Sequence, residues 1–132
     1  MIILAVDLGT KRTGFAMCDP QEKMALALPT QLDVTPADVA ALVQEQGAGE
    51  VVVGLPLNMD GTVGPSARRV LDFIDELKIH CPVPVVPWDE RLSTAEGQSR
   101  LRDQGLDRKD RHRRADAAAA IVILESYLRR PR

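Results

Sequence analysis

The sequence predicts one α/β layered domain over residues 1–132, a mixed five-stranded sheet flanked by helices in the order βββαβαβαα. Three observations predict it. Three short apolar runs, at residues 2–6, 15–18 and 25–28, follow one another with only turn residues between them, the pattern of an antiparallel meander. Apolar period then switches to that of a helix. Two further apolar runs, at 51–53 and 83–86, are separated by helical stretches, which gives layers of helix on sheet. The length is that of one ordinary domain, with enough chain to bury a core unaided.

Each element has its own justification. Residues 2–6 are apolar without alternation and end in Asp7, as in a strand buried on both faces. Gly9 and Gly14 bracket a turn before residues 15–18, and Asp19-Pro20 starts the next. The third strand is expected to stop before Pro29. Thr35 is a plausible N-cap with Pro36 at the first helical position, Val39, Leu42 and Val43 share a face, and Gly47 is a natural stop. Val51-Val52-Val53 is a strand, and a loop of turn residues follows from 54 to 65. Val70, Phe73, Ile74 and Leu77 fall at i, i+3, i+4 and i+7 of a second helix. The fifth strand, around Val83, Val85 and Val86, is crowded by Pro82, Pro84 and Pro87 and should be short or at an edge. Ser93 and Glu96 have capping-box spacing for a helix ending near Gly105. A last helix, Ala-rich in its first half, is expected from about Ala115 to Leu128.

Composition excludes several classes. Aromatic residues number four, Phe15, Phe73, Trp88 and Tyr127, too few for a base-stacking platform. Cys18 and Cys81 match no metal spacing and read as reduced, buried thiols. No stretch is apolar for long enough to span a membrane, and residues 2–6 are too short and lack a basic flank for a signal peptide, so a cytoplasmic location is expected. The net charge of −2 conceals a division. Residues 1–99 carry 7 basic and 14 acidic side chains, whereas residues 100–132 carry 10 basic and 5 acidic. An acidic region able to hold metal beside a basic region able to hold a polyanion is one reading; a solvated helix face and a basic tail is the other.

Ligands of open α/β sheets collect at the carboxyl ends of strands. Three stretches qualify: Asp7 after the first strand, residues 54–61 (Gly-Leu-Pro-Leu-Asn-Met-Asp-Gly) after the fourth, and Asp89-Glu90-Arg91 after the fifth. Two buried carboxylates close together repel and raise each other's pKa, and a divalent cation relieves both penalties. Asp7 and Glu90 therefore read as a metal pair; alternatively one caps a turn and the other pairs with Arg91. Asp116 follows the run Arg108-Lys109-Asp110-Arg111-His112-Arg113-Arg114 and is either a third ligand or a helix-start acid. His80 and His112 have no partner at useful spacing, and Ser93 and Thr94 are explained by capping, so a serine hydrolase is rejected.

Residues 7–14 (Asp-Leu-Gly-Thr-Lys-Arg-Thr-Gly), 53–61, 89–94 (Asp-Glu-Arg-Leu-Ser-Thr) and the Ala-rich helix after Asp116 together resemble the YqgF/RuvX family of bacterial Holliday-junction-resolvase-like proteins, also described as pre-16S rRNA nucleases. The second and third motifs are specific; the first alone also resembles sugar kinases and actin-like ATPases. The resemblance covers essentially the whole chain. It implies a ribonuclease-H-like fold and a catalytic, metal-binding triad of Asp7, Glu90 and Asp116 for Mg²⁺ or Mn²⁺, with two metals expected. It also matches Lys11 to the family's motif lysine. The basic stretch before Asp116 is more Arg-rich than the family pattern.

The function expected is a metal-dependent nuclease in 5′-end maturation of pre-16S ribosomal RNA, leaving 5′-phosphate and 3′-hydroxyl ends. A four-way-junction resolvase is the alternative, and cutting a two-fold symmetric junction in pairs calls for a homodimer. Lys11 and Arg91 are expected to neutralise phosphate near the metals, Asn58 to bind substrate, and Arg108, Lys109, Arg111, Arg113 and Arg114 to hold backbone further away. An ATP-dependent phosphotransferase is disfavoured, because such proteins close two domains around the nucleotide. A nucleic-acid-binding protein without catalysis is disfavoured by the intact triad.

Overall fold

The computed structural model describes residues 1–92 and 108–131, with side chains described for 1–92 and 118–131. The sheet has five strands: β1 (Ile3–Leu8), β2 (Arg12–Cys18), β3 (Ala25–Leu32), β4 (Glu50–Leu55) and β5 (Val85–Asp89). Their order is β3-β2-β1-β4-β5. β1–β2 and β2–β3 pair antiparallel, while β1–β4 and β4–β5 pair parallel. The helices are α1 (Pro36–Gln46), α2 (Pro65–His80) and α3 (Arg108–Leu128).

The uninterrupted apolar runs of β1 and β4 are explained by helices on both sheet faces. On one face, Leu4, Val6, Phe15, Val51 and Val53 pack with Val39 and Val43 of α1 and Val70, Ile74 and Leu77 of α2. On the other, Ile3, Ala5, Ala16 and Val52 pack with Ala120, Ile123, Leu124 and Tyr127 of α3. α1 opens on Thr35 with a capping box: Thr35 Oγ1 accepts from the Asp38 amide at 3.2 Å, and Asp38 Oδ2 from the Thr35 amide at 2.9 Å. It ends at Gly47, whose φ of 67° is left-handed. Both cysteines are free and buried, as expected.

β1 runs on through Asp7 to Leu8 and β2 starts at Arg12, so Gly14 lies inside β2 opposite Asp7 instead of closing the turn, because the antiparallel pairing of the two strands extends to Leu8 and Thr13. Three further boundaries differ from the sequence reading. β3 continues through Pro29 to Leu32. It is an edge strand, and Pro29 falls where its register with β2 shifts between Phe15 and Thr13, two settings in which a sheet tolerates proline. β5 starts at Val85, two residues after Val83, because Pro82 and Pro84 keep the preceding chain out of the ladder. α3 begins at Arg108 instead of Ala115, so the basic run is helical and Asp116 lies well inside the helix instead of at its start. The helix expected between Ser93 and Gly105 lies outside the described residues. No helix among the described residues is long and apolar enough to cross a membrane.

Candidate active site

β1 is the central strand, and its last inward-facing position toward α3 is Asp7, two residues beyond Ala5 and four beyond Ile3 on the same face. Glu90 opens a single 3₁₀ turn, Glu90–Leu92, directly after β5. β4 runs between these two strands, and Gly54 is its residue at that level, paired with Trp88 of β5. A Cβ on Gly54 would stand 2.6 Å from Glu90 Oε1 and 2.6 Å from Ile123 Cδ1 of α3. The Glu90 carboxyl thus reaches back over β4 toward β1 and forms a side-chain hydrogen bond with Asp7.

Two carboxyls can hydrogen-bond only if one carries a proton. Desolvation by burial, followed by the Asp7 charge and the hydrogen bond to Asp7, pushes Glu90 up to about 8 from its ordinary 4.5. A proton is therefore retained between the two groups at neutral pH. This is the donor set that suits a hard divalent cation: oxygen ligands whose mutual repulsion a cation relieves. Of the alternatives left open by spacing, a Glu90–Arg91 pair does not form. Arg91 pairs with Asp89 instead, Nη2 to Oδ2 at 2.7 Å, and this holds the Asp89 carboxyl below the usual range.

Among the described residues no group of three or more His, Cys, Asp and Glu could hold a metal ion. The expected third member, Asp116, lies on α3, but its side chain is outside the described ones. The helix direction bears on its position. Near the end of α3, Tyr127 hydrogen-bonds Glu50 at the start of β4, whereas Ile123, one turn earlier, meets Gly54 near the strand's end. α3 thus runs opposite to β4, and its earlier turns, position 116 included, head toward the rim that carries Asp7 and Glu90. Arg108, Lys109, Arg111, Arg113 and Arg114 occupy the first two turns of that helix.

The other expected contact residues divide. Lys11 is exposed in the β1–β2 turn, and its carbonyl accepts from the Asp33 amide at 2.9 Å. Asn58 builds the loop after β4: its amide nitrogen and Nδ2 donate to Thr62 O and Oγ1, each at 2.9 Å. Arg91 donates to Met59 O at 3.1 Å while gripping Asp89, so it staples the end of β5 to that loop. Sequence reasoning missed Arg69. From the first turns of α2 it donates to Leu8 O at 3.2 Å and Gly9 O at 3.4 Å, anchoring the turn that follows Asp7. Nothing in the local sequence distinguishes it from Arg68, because its acceptors lie 60 and 61 residues away.

A mixed sheet of three antiparallel and two further parallel strands, with a carboxyl pair at the end of the central strand, is the ribonuclease-H-like fold. Two solved structures share it at low identity. The fowlpox virus Holliday junction resolvase aligns with a TM-score of 0.61 at 15% identity, covering 97% of this chain and 98% of that one. RuvC of T. thermophilus, in complex with Holliday junction substrate, aligns with a TM-score of 0.60 at 18% identity, covering 98% and 95%. The chain belongs to the RuvX family, whose profile, described as "Holliday junction resolvase", matches residues 1–130. A protein of Anaeromyxobacter dehalogenans (strain 2CP-1 / ATCC BAA-258) named "Putative pre-16S rRNA nuclease" is 46% identical over 134 residues, covering 98% of both chains.

Proposed function

We propose that this protein is a divalent-cation-dependent nuclease that hydrolyses phosphodiester bonds in structured RNA, with pre-16S ribosomal RNA as its substrate. The carrying observation is the Asp7–Glu90 pair, two hydrogen-bonded carboxyls, one near the carboxyl end of β1 and the other directly after β5, with Glu90 pushed up to about 8. The substrate follows from the naming of relatives such as the one in Anaeromyxobacter dehalogenans. A four-way DNA junction is the second reading, favoured by the family description and by the T. thermophilus RuvC complex.

Asp7, Glu90 and Asp116 would hold Mg²⁺ or Mn²⁺. When bound, the cations supply a more acidic water and charge neutralisation at the phosphate. The chain's own residues do the rest. Asp7 is fixed by its strand on one side and by the Arg69-anchored turn on the other. Glu90, whose carboxyl is pushed up to about 8 in the metal-free protein, would have to lose that proton to serve as an oxygen ligand. Lys11, exposed in the turn between β1 and β2, would meet a backbone phosphate as a point charge. Arg91 and Asn58 shape the loop that borders the site, a role carried by their bonds to Asp89, Met59 and Thr62. The basic first turns of α3 neutralise backbone away from the cleaved bond. The deciding experiment incubates labelled pre-16S RNA and a synthetic four-way junction side by side, with Mg²⁺, Mn²⁺ or chelator. Cation-dependent RNA cleavage absent from Asp7→Asn is expected; cleavage of neither substrate sinks the nuclease reading.

A further inference from the structure

β4 reads Val51-Val52-Val53 and then Gly54, in the interior of a buried strand where a β-branched residue is the ordinary choice. Backbone conformation does not explain the glycine. The described glycines with positive φ are Gly47 and Gly61, and Gly54 has a backbone open to any residue. Space explains it. A Cβ at this position would meet Glu90 Oε1 at 2.6 Å, Glu90 Cγ at 2.9 Å and Ile123 Cδ1 at 2.6 Å. Val52, two residues earlier on the same face, has room for its side chain within the core formed with Ile3, Ala5 and Ile123.

We propose that Gly54 is a positioning residue for Glu90: the missing side chain forms a slot in the sheet surface, floored by the β4 backbone and closed by Ile123, that lets the Glu90 carboxyl cross β4 and reach Asp7. β4 separates the two acids in the sheet, so a glutamate leaving β5 can meet an acid on β1 only by passing over β4. Any side chain at 54 stands in that path. Ile123 of α3 lies over the same position, its Cδ1 2.6 Å from where a Cβ at 54 would stand, so the space above the glycine is shared by the Glu90 carboxyl and the helix. The consequence rests on the reading that the pair holds a cation: filling the slot separates the ligands and weakens cation binding without removing either carboxyl.

The test uses the full chain and Mn²⁺ itself as probe. Gly54→Ala is compared with Gly54→Ala/Ile123→Val, in which the Cδ1 clash is gone and only the clash with Glu90 remains; the double variant also serves if the single one folds poorly. Mn²⁺ affinity is measured by calorimetry, stability by thermal melting, and the Glu90 environment by its ¹³Cδ resonance in metal-free protein. Expected are a displaced Glu90 resonance and at least a tenfold loss of Mn²⁺ affinity in both variants, with the melting temperature of the double variant returning to that of Ile123→Val alone. A folded Gly54→Ala with the wild-type Glu90 resonance overturns the proposal. So does a double variant that regains both stability and Mn²⁺ affinity, since the glycine would then serve helix packing alone. Absence of Mn²⁺ binding by the wild type counts instead against the nuclease reading, because the metal-free resonance reports on the slot independently.

Discussion

Burial and a neighbouring charge together act on Glu90. Its carboxyl titrates near 4.5 in an unfolded chain and about 8 in the folded one. Between those values the folded state binds more protons than the unfolded state, so stability of the metal-free protein falls as pH rises through that window. Below about pH 4.5 this contribution is fully present, and above about 8 it is gone. Glu90→Gln removes the titrating group, so its melting temperature in chelator should be nearly flat over the same range and should exceed wild type at pH 8. Thermal melts at half-unit pH intervals check this, and an identical slope in the variant would show that other groups dominate. Asp7→Asn removes the neighbouring charge that helps to raise Glu90. It should leave the fold intact and abolish cleavage at saturating Mn²⁺; retained turnover would reject Asp7 as a ligand.

Among the elements, α3 departs furthest from the sequence reading. Its Ala-rich stretch suggested a start near Ala115, yet it begins at Arg108. This changes the meaning of Asp116→Asn. Eight residues inside the helix, the acid is beyond the first-turn amides and their dipole, and Asn and Asp have similar interior propensities. The substitution should therefore shift the melting temperature of the metal-free protein by no more than a few degrees. Turnover should fall at least a hundredfold and Mn²⁺ binding should weaken. A lowered melting temperature with a normal Mn²⁺ titration would remove Asp116 from the site. The turns before it make a separate claim. Arg111, Arg113 and Arg114 replaced together by Ala should weaken binding to all sequences alike and flatten the salt slope of binding by up to about 3 units. Fluorescence anisotropy across a salt series measures it, and an unchanged slope would mean that these side chains stay in solvent. At its other end α3 is held by polar anchors: Trp88 Nε1 donates to Ser126 Oγ at 3.0 Å, and Tyr127 bonds Glu50 while its ring meets Trp88 edge-on.

At the scale of the whole molecule, the Asp7–Glu90 pair is an electrostatic cost built into the fold. Ionised together, the two carboxyls favour unfolding, and the proposed cation would reverse the sign. Mn²⁺ should accordingly raise the melting temperature with concentration, by an amount equivalent to about 2.7 kcal/mol at a hundred times the dissociation constant. The shift should vanish in Asp7→Asn. Scanning calorimetry with and without Mn²⁺ decides it; an equal shift in the variant would place the cation elsewhere. The division of charge between residues 1–99 and 100–132 fits the same arrangement, with the acids of β1 and β5 at the rim and the Arg-rich turns entering from α3.

Much of this was legible in the chain itself. Unalternated runs at β1 and β4 announced a sheet covered on both faces, and Thr35, Pro36 and Gly47 marked α1 because capping and turn chemistry act within a few residues. Asp7 and Glu90 were identifiable because each closely follows an apolar run and lies within a motif. Beyond that range the chain was silent. Pro29 looked like a strand stop, and only the strand order, which leaves β3 unpaired on one side, shows why it is not. The slot at Gly54, the anchor from Arg69 to Leu8 and Gly9, and the Arg91–Asp89–Met59 staple join residues whose meeting depends on sheet order and helix placement. Local sequence determined which segments become strand or helix and which acids end them, since those choices are made by neighbours within a turn or two. Tertiary structure decided that Glu90 faces Asp7 and not Arg91, because burial over β4, and not proximity along the chain, sets which charge a carboxyl meets.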